Sequence, residues 1–194
     1  TTKDLSITAK DVTGLDDGIS ATNKGSGSTE ITATGTIKGG VDQTDQTANS
    51  DGIFGYNYAS AKNLIITAKD VTGLEDGVVA VNLGTGSIAI SLSGDVNVTS
   101  TKLNTAAKTA DYEDESHHYG IGASNYGTDI DIVTTGDVTS IDRGIYATNF
   151  GSGSTTITSS GSIYASLNQN DESYNQAGIE AYNASSATNI IISA

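Results

Sequence analysis

Several residue types are missing or scarce in this chain of 194 residues. It has no cysteine, which excludes a disulfide framework and any metal or redox site built on cysteine. No apolar run approaches the roughly 20 residues of a membrane-spanning helix, so we expect no direct insertion of this segment into a membrane. Aromatic residues make up only 6% of the chain, and tryptophan is absent.

Positive charge is also scarce, with nine lysines and arginines against 23 acidic residues and a net charge of −14. Up to Lys108 there are 12 acidic and 8 basic residues, and beyond it 11 acidic residues face Arg143 alone. Such a surface repels nucleic acids and anionic membranes. We therefore expect no nucleic-acid partner.

What the chain does contain is a six-residue motif, G-[IV]-x-[AG]-x-N, which occurs six times. The copies are GISATN at 18–23, GIFGYN at 52–57, GVVAVN at 77–82, GIGASN at 120–125, GIYATN at 144–149 and GIEAYN at 178–183. Because side chains alternate between the faces of a strand, the Ile or Val, the Ala or Gly and the Asn of each copy share one face. Six asparagines in register predict a ladder in which each amide donates to the next copy.

Two further apolar columns follow each motif at regular distances. Apolar pairs such as Leu64/Ile66 and Ile88/Ile90 form the first of them, and a third column runs through Val12, Ile37, Val71, Val96, Val138 and Ile163. Three short strands per repeat, with Gly and Ser at the bends, predict an all-β fold: a right-handed parallel β-helix of about six to seven coils. None of the three columns contains an aromatic residue, which suits a narrow stacked core.

The spacing from the third column to the next motif glycine alternates, running 6, 15, 6, 24, 6 and 15 residues. The longer spacings correspond to inserted loops at 38–51, 97–119 and 164–177, which we expect to lie in a row along one corner, since insertions in solenoids map to one face. The short spacings carry Leu15, Leu74 and Ile141, which we expect to point inward. Both ends of the sequence fall partway through a repeat, so residues 1–194 are expected to be one β-helix domain within a longer array.

The repeated D-G-I-x-A-x-N followed by G-S-G-S-x-x-I-x-x-x-G-x-[IV] resembles the passenger domains of bacterial autotransporters, the AIDA-like and Antigen 43-like adhesins. The resemblance spans Leu5 to Ile192. It implies a right-handed parallel β-helix on the bacterial cell surface or secreted, which mediates aggregation, biofilm formation or host attachment without catalysis. The implied partners are a second passenger, or a host-surface protein or glycan.

Candidate contact residues lie on the outside of this expected helix. Seven of the eleven aromatic residues occupy outward positions of the motif or directly follow its asparagine, forming one predicted strip: Phe54, Tyr56, Tyr58, Tyr126, Tyr146, Phe150 and Tyr182. Exposed aromatic strips are typical of sugar-binding and protein-binding surfaces. In the inserted loops, polar recognition is expected from Asp111, Tyr112, Asp171 and Tyr174. Shielding of the sheet backbone by the rings, and neutral surface insertions, are the alternatives.

We expect neither a metal site nor a cofactor. His117 and His118 follow four acidic residues, but adjacent histidines seldom present both rings to one ion. Asp17, Asp51 and Asp76 precede three successive motif glycines and should stack, and a Ca²⁺ ion bridging them stays an open alternative. Asp129 and Asp131 point to one face of a strand and are expected to serve solubility.

An enzyme is the alternative to an adhesin, since parallel β-helices include polysaccharide lyases and glycosidases. A glycosidase needs two carboxylates about 5–9.5 Å apart across a cleft. Asp129 and Asp131 could meet that distance, but nothing in the sequence implies a cleft, and the sequence contains no nucleotide-binding fingerprint. Ice binding through a regular threonine array is a third class, which the irregular outward positions of the motif disfavour.

Overall fold

The computed structural model describes residues 3–41, 50–100, 118–165 and 177–194, and the chain forms three all-parallel sheets around one core. The strands follow one another around the three sheets in turn, so that three strands make one coil. This is the predicted right-handed parallel β-helix of six to seven coils. Each strand pairs with the strand three places further along the chain, which is the pattern of a solenoid.

The first sheet has seven strands, drawn from the first apolar column and its neighbours: β1 Leu5–Ala9, β4 Thr29–Ala33, β7 Leu64–Ala68, β10 Ile88–Leu92, β13 Ile130–Thr134, β16 Thr155–Ser159 and β19 Ile190–Ser193. The second, which we call the short-strand sheet, contains β2 Val12–Thr13, β5 Thr36–Lys38, β8 Asp70–Gly73, β11 Val96–Val98, β14 Val138–Thr139 and β17 Ile163–Tyr164. The third, which we call the motif sheet, contains β3 Ile19–Asn23, β6 Ile53–Asn57, β9 Val78–Asn82, β12 Tyr119–Asn125, β15 Arg143–Asn149 and β18 Ile179–Asn183.

The core consists of the predicted columns of Ile, Val, Leu and Ala, without an aromatic side chain among the described residues. Burial alternates along the strands, as in β3 and β4, because only every second side chain faces inward. Leu74 and Ile141 are buried as predicted, but the prediction for Leu15 is wrong, since it is 69% exposed. Leu15 lies in the first coil, which has a neighbouring coil on one side only, whereas Leu74 is enclosed by Gly40 and Ser100 of the coils on either side.

The described ends of the three insertions lie at the corner between the short-strand sheet and the motif sheet, which we call the insertion corner; the rest of the predicted loops, 42–49, 101–117 and 166–176, lies outside the described residues. The insertions separate β5 from β6, β11 from β12 and β17 from β18, which places them on alternate coils. The strands extend slightly into the predicted loops, since Asn97 and Val98 belong to β11 and Tyr119 begins β12.

The six motif asparagines stand in register at the corner where the motif sheet meets the seven-stranded sheet, which we call the asparagine corner. The predicted amide-to-amide ladder is mostly wrong, because only Asn82 donates to a neighbouring asparagine, to Oδ1 of Asn125 at 2.9 Å, among the described residues. All six amides donate instead to backbone carbonyls of the adjoining turns. Each of these carbonyls also accepts a backbone N–H from an adjacent coil, so the amide is the second donor to a carbonyl that has two lone pairs.

Aspartate side chains link successive coils at the corners, a role that the sequence interpretation missed. Between the seven-stranded and short-strand sheets, a carboxylate of one coil accepts the backbone N–H of the next: Asp11 from Thr36, Asp70 from Asp95, Asp95 from Asp137 and Asp137 from Ser162, at 2.8–3.3 Å. At the asparagine corner Asp4, Asn63 and Asp129 accept from Ser28, Ser87 and Ser154 in the same way. Asp129 is therefore a structural acceptor as well as a surface charge.

These links explain the glycines at the bends. A Cβ atom on Gly35 or Gly94 would lie 2.1 Å from the linking carboxylate oxygen of the preceding coil. A Cβ atom on Gly27, Gly86 or Gly153 would lie 2.2–2.5 Å from the corresponding side-chain oxygen of Asp4, Asn63 or Asp129. The first glycine of the GSGS turns donates its N–H to Oδ1 of the preceding motif asparagine, at Gly25 and Gly151 alike. At Gly151 a Cβ atom would also lie 2.1 Å from the carbonyl oxygen of Gly127.

Candidate binding surface

The residue that follows each motif asparagine forms a column along the asparagine corner. From Tyr58 onward, the backbone N–H of each member donates to the asparagine carbonyl of the preceding coil, which keeps the column in register. Its members are Lys24, Tyr58, Leu83, Tyr126, Phe150 and Ala184. We call Tyr58, Leu83, Tyr126 and Phe150 the aromatic column.

The rings of this column are exposed. Tyr58 and Phe150 are each 41% exposed, Tyr126 is 36% exposed, and Tyr182, which contacts Phe150, is 54% exposed. Tyr126 and Phe150 stack with ring centroids 4.7 Å apart and an interplanar angle of 26°. Because these two rings cover part of each other's faces, the column presents ring edges as well as faces to solvent.

The predicted single strip is in fact two groups. Phe54, Tyr56 and Tyr58 contact one another in the second coil, with centroids 6.2 Å and 5.0 Å apart. Tyr126, Phe150 and Tyr182 form the second group, on the fourth to sixth coils. Phe54, Tyr56 and Tyr146 lie on strands of the motif sheet and are only partly exposed.

The turns that carry the aromatic column are almost free of acidic residues. The connections from the motif sheet to the seven-stranded sheet are 24–28, 58–63, 83–87, 126–129, 150–154 and 184–189, and Asp129 is their only acidic residue. Lys24 and Lys62 lie in the first two, and the Lys24 ammonium sits 5.3 Å from the ring centroid of Tyr58. In a chain of net charge −14, this corner is therefore the one where negative repulsion is weakest.

A second polar and aromatic cluster, missed by the sequence interpretation, surrounds Arg143. Its guanidinium carbon lies 4.9 Å from the ring centroid of Tyr146 and 5.8 Å from that of Tyr119, while the two rings stack at 5.1 Å. Nε of Arg143 is 2.9 Å from Oε2 of Glu180, an ion pair whose angles are not those of a hydrogen bond. Nη1 donates to the Tyr119 hydroxyl at 3.4 Å.

The cluster joins three coils, since Tyr119 begins β12, Arg143 and Tyr146 lie on β15, and Glu180 lies on β18. Gly122 makes room for it, because a Cβ atom there would lie 3.0 Å from the Tyr119 ring. One sequence signal could have found it: Tyr119 and Arg143 stand directly before a motif glycine, where the first three motifs have aspartate.

At the insertion corner the aspartates bond to backbone. Oδ1 of Asp17 accepts the N–H of Asp51 at 3.1 Å, and Oδ1 of Asp76 accepts the N–H of Tyr119. His118 is buried, and its carbonyl accepts a hydrogen bond from the Ser140 hydroxyl at 2.5 Å. Within the described ranges there is no group of three or more His, Cys, Asp or Glu residues arranged to hold a metal ion.

The predicted loop residues Asp111, Tyr112, Asp171 and Tyr174, and also His117, lie outside the described residues. In the part of the chain that the structure describes, there is no helix with the length and apolar character needed to cross a membrane. Comparisons with protein-family models, with curated proteins and with solved structures gave no match.

Proposed function

We propose that this chain is a non-catalytic adhesin module that acts on the bacterial cell surface or as a secreted protein. In this role it mediates aggregation and biofilm formation, or attachment to host surfaces or glycans. The proposal rests on one observation, the exposed aromatic column at the acid-poor asparagine corner. The repeat resemblance to autotransporter passengers supports the same function.

The column suits a contact surface because exposed rings gain free energy when a partner removes them from water. Each ring is only partly exposed, so a single contact is weak, of the order of 1 kcal/mol. Many copies displayed on one cell add their contacts through avidity, and a weak surface then suffices for stable attachment. The low density of acidic residues at this corner lets two negatively charged objects approach there.

The test displays the chain on bacteria through an outer-membrane anchor and measures sedimentation of the cells and their attachment to glycan-coated and protein-coated surfaces. We expect Tyr126→Ser combined with Phe150→Ser to reduce clumping or attachment at equal surface expression. Tyr164→Ser is the matched control, because Tyr164 is 51% exposed but lies on the short-strand sheet. Equal loss in the control would remove the aromatic column from the proposal, and depolymerisation of a polysaccharide by the purified chain would replace the adhesin with an enzyme.

A further inference from the structure

The only arginine of the chain is held on the motif sheet with unused hydrogen-bonding capacity. A guanidinium carries five N–H donors. Arg143 is 8% exposed, and its polar contacts among the described residues involve Nε, with Glu180, and Nη1, with the Tyr119 hydroxyl. Among the described residues, the two N–H groups of Nη2 have no hydrogen-bond acceptor. The Tyr146 ring lies beside the guanidinium, and the Glu180 side chain is 35% exposed.

The charge of this group favours an uncharged ligand. Arg143 and Glu180 form a pair at 2.9 Å without net charge, in a chain of net charge −14. A carboxylate or phosphate would approach against the negative charge of the neighbouring Glu180 and of the whole chain. A ligand that both accepts from a guanidinium and donates to a carboxylate meets no such penalty.

A neutral sugar has this chemistry. Two adjacent hydroxyl groups can accept hydrogen bonds from an arginine and donate to a glutamate at the same time, and charge-assisted hydrogen bonds of this kind are the stronger ones. The C–H face of a pyranose ring is apolar and packs on an aromatic ring. Aromatic surface with a few convergent polar groups is the usual composition of a small-molecule site.

We infer that Arg143, Glu180 and Tyr146 form a subsite for one neutral hexopyranose unit of a surface glycan. The inference rests on the proposed adhesive function and names a partner class for it. Glu180 holds the guanidinium in place and accepts from one sugar hydroxyl, Arg143 donates to the next, and Tyr146 packs on the ring. Tyr119 is a positioning residue, because its ring and hydroxyl fix the arginine from the preceding coil.

The experiment titrates the purified chain with methyl β-D-glucopyranoside, methyl β-D-galactopyranoside and methyl β-D-glucuronide, followed by saturation-transfer NMR. We expect saturable binding of at least one neutral probe and weaker binding of the glucuronide. Glu180→Gln and Arg143→Lys should each weaken the neutral probe by about tenfold or more, which corresponds to one charge-assisted hydrogen bond. Glu30→Gln is the control, since Glu30 is an exposed residue of the seven-stranded sheet and should leave the affinity unchanged.

Circular dichroism checks that each variant is folded, and Glu180→Gln carries the test if Arg143→Lys is not. The inference is overturned if neither neutral probe binds saturably, if the glucuronide binds more tightly, or if the folded variants bind like the unchanged chain. Its failure is separable from failure of the proposed function. If sugars do not bind while Tyr126→Ser with Phe150→Ser still abolishes clumping, the adhesin stands and this subsite does not.

Discussion

The motif glycines test how the coils pack, because described residues of the next coil pack closely against one of them, Gly77, and not against another, Gly178. A Cβ atom on Gly77 would lie 2.3 Å from Cγ1 of Val96 and 2.5 Å from the carbonyl oxygen of Gly120 in the next coil. At Gly178, the same motif position in the sixth coil, a Cβ atom would have no neighbour within 4 Å among the described residues. Neither glycine has a positive φ, since Gly40 is the only described residue of that kind, at 67°.

The size of the effect follows from these contacts. Relieving an overpacked methyl group typically costs about 1–3 kcal/mol, and at Gly77 one of the two obstacles is backbone, which moves less readily than a side chain. Reduced freedom of the unfolded chain returns about 0.4–1 kcal/mol at either glycine. We therefore expect Gly77→Ala to lower the free energy of unfolding by about 2 kcal/mol, and Gly178→Ala to leave it unchanged or raise it by less than about 1 kcal/mol.

Thermal and urea melts followed by far-ultraviolet circular dichroism measure the difference. For a chain of this length, about 2 kcal/mol corresponds to a fall in Tm of about 4–8 °C for Gly77→Ala. If both variants lose stability equally, the motif glycine is required for its backbone conformation and the packing explanation is wrong. If Gly77→Ala melts like the unchanged chain, the clearance between coils is larger than the structure gives.

Three further predictions concern the polar links and the insertions. Asp95→Ala should lower the free energy of unfolding by about 1 kcal/mol, because it removes the acceptor of the Asp137 N–H. Asp95→Asn should lower it less, because an asparagine, Asn63, makes the same link at another corner. Equal losses of stability in urea melts would contradict this. Asn125→Ala should cost about 1–3 kcal/mol, because it removes the acceptor of the part-buried Gly127 N–H and one of two hydrogen bonds from both the Asp129 carbonyl and the Asn82 amide; a loss below about 0.5 kcal/mol in the same melts would refute that reasoning. Replacing 97–119 by the TGLED of 72–76 should leave a β-rich spectrum and a cooperative melt, because loop-closure cost changes slowly with length; loss of folding would show that the insertion is structural.

The interior of the fold could be read from the sequence because it depends on periodicity. Ile90, Ile132 and Ile157 lie next to one another on successive strands, and their spacing along the chain is enough to place them there. The corner that receives the insertions follows from the same count, since only one of the three connections of a coil varies by more than two residues.

The polar contacts could not be read in this way. The repeat places Asn57 and Asn82 at one corner, but whether an amide donates to its neighbour or to the turn depends on the path of the backbone between strands. The aspartate links were likewise not predicted, because the period of a repeat specifies which residues stack and does not specify which N–H a carboxylate accepts. The Arg143 cluster is harder still, since it is made by single residues of three coils that do not repeat.

The departures from the repeat at Tyr119 and Arg143 bear on where function resides. Before the other motif glycines, Asp17 and Asp76 each accept a backbone N–H from the following coil. A tyrosine at position 119 has no carboxylate to offer, and the N–H of Arg143 donates instead to the carbonyl of His118 at 3.1 Å. The coil contact is thus preserved by the backbone, and the two side chains are released from the structural role that aspartate has. Because neither side chain makes the carboxylate link of aspartate, both can take a binding role in its place, and they lie together on the outer face of the motif sheet, next to Tyr146 and Glu180.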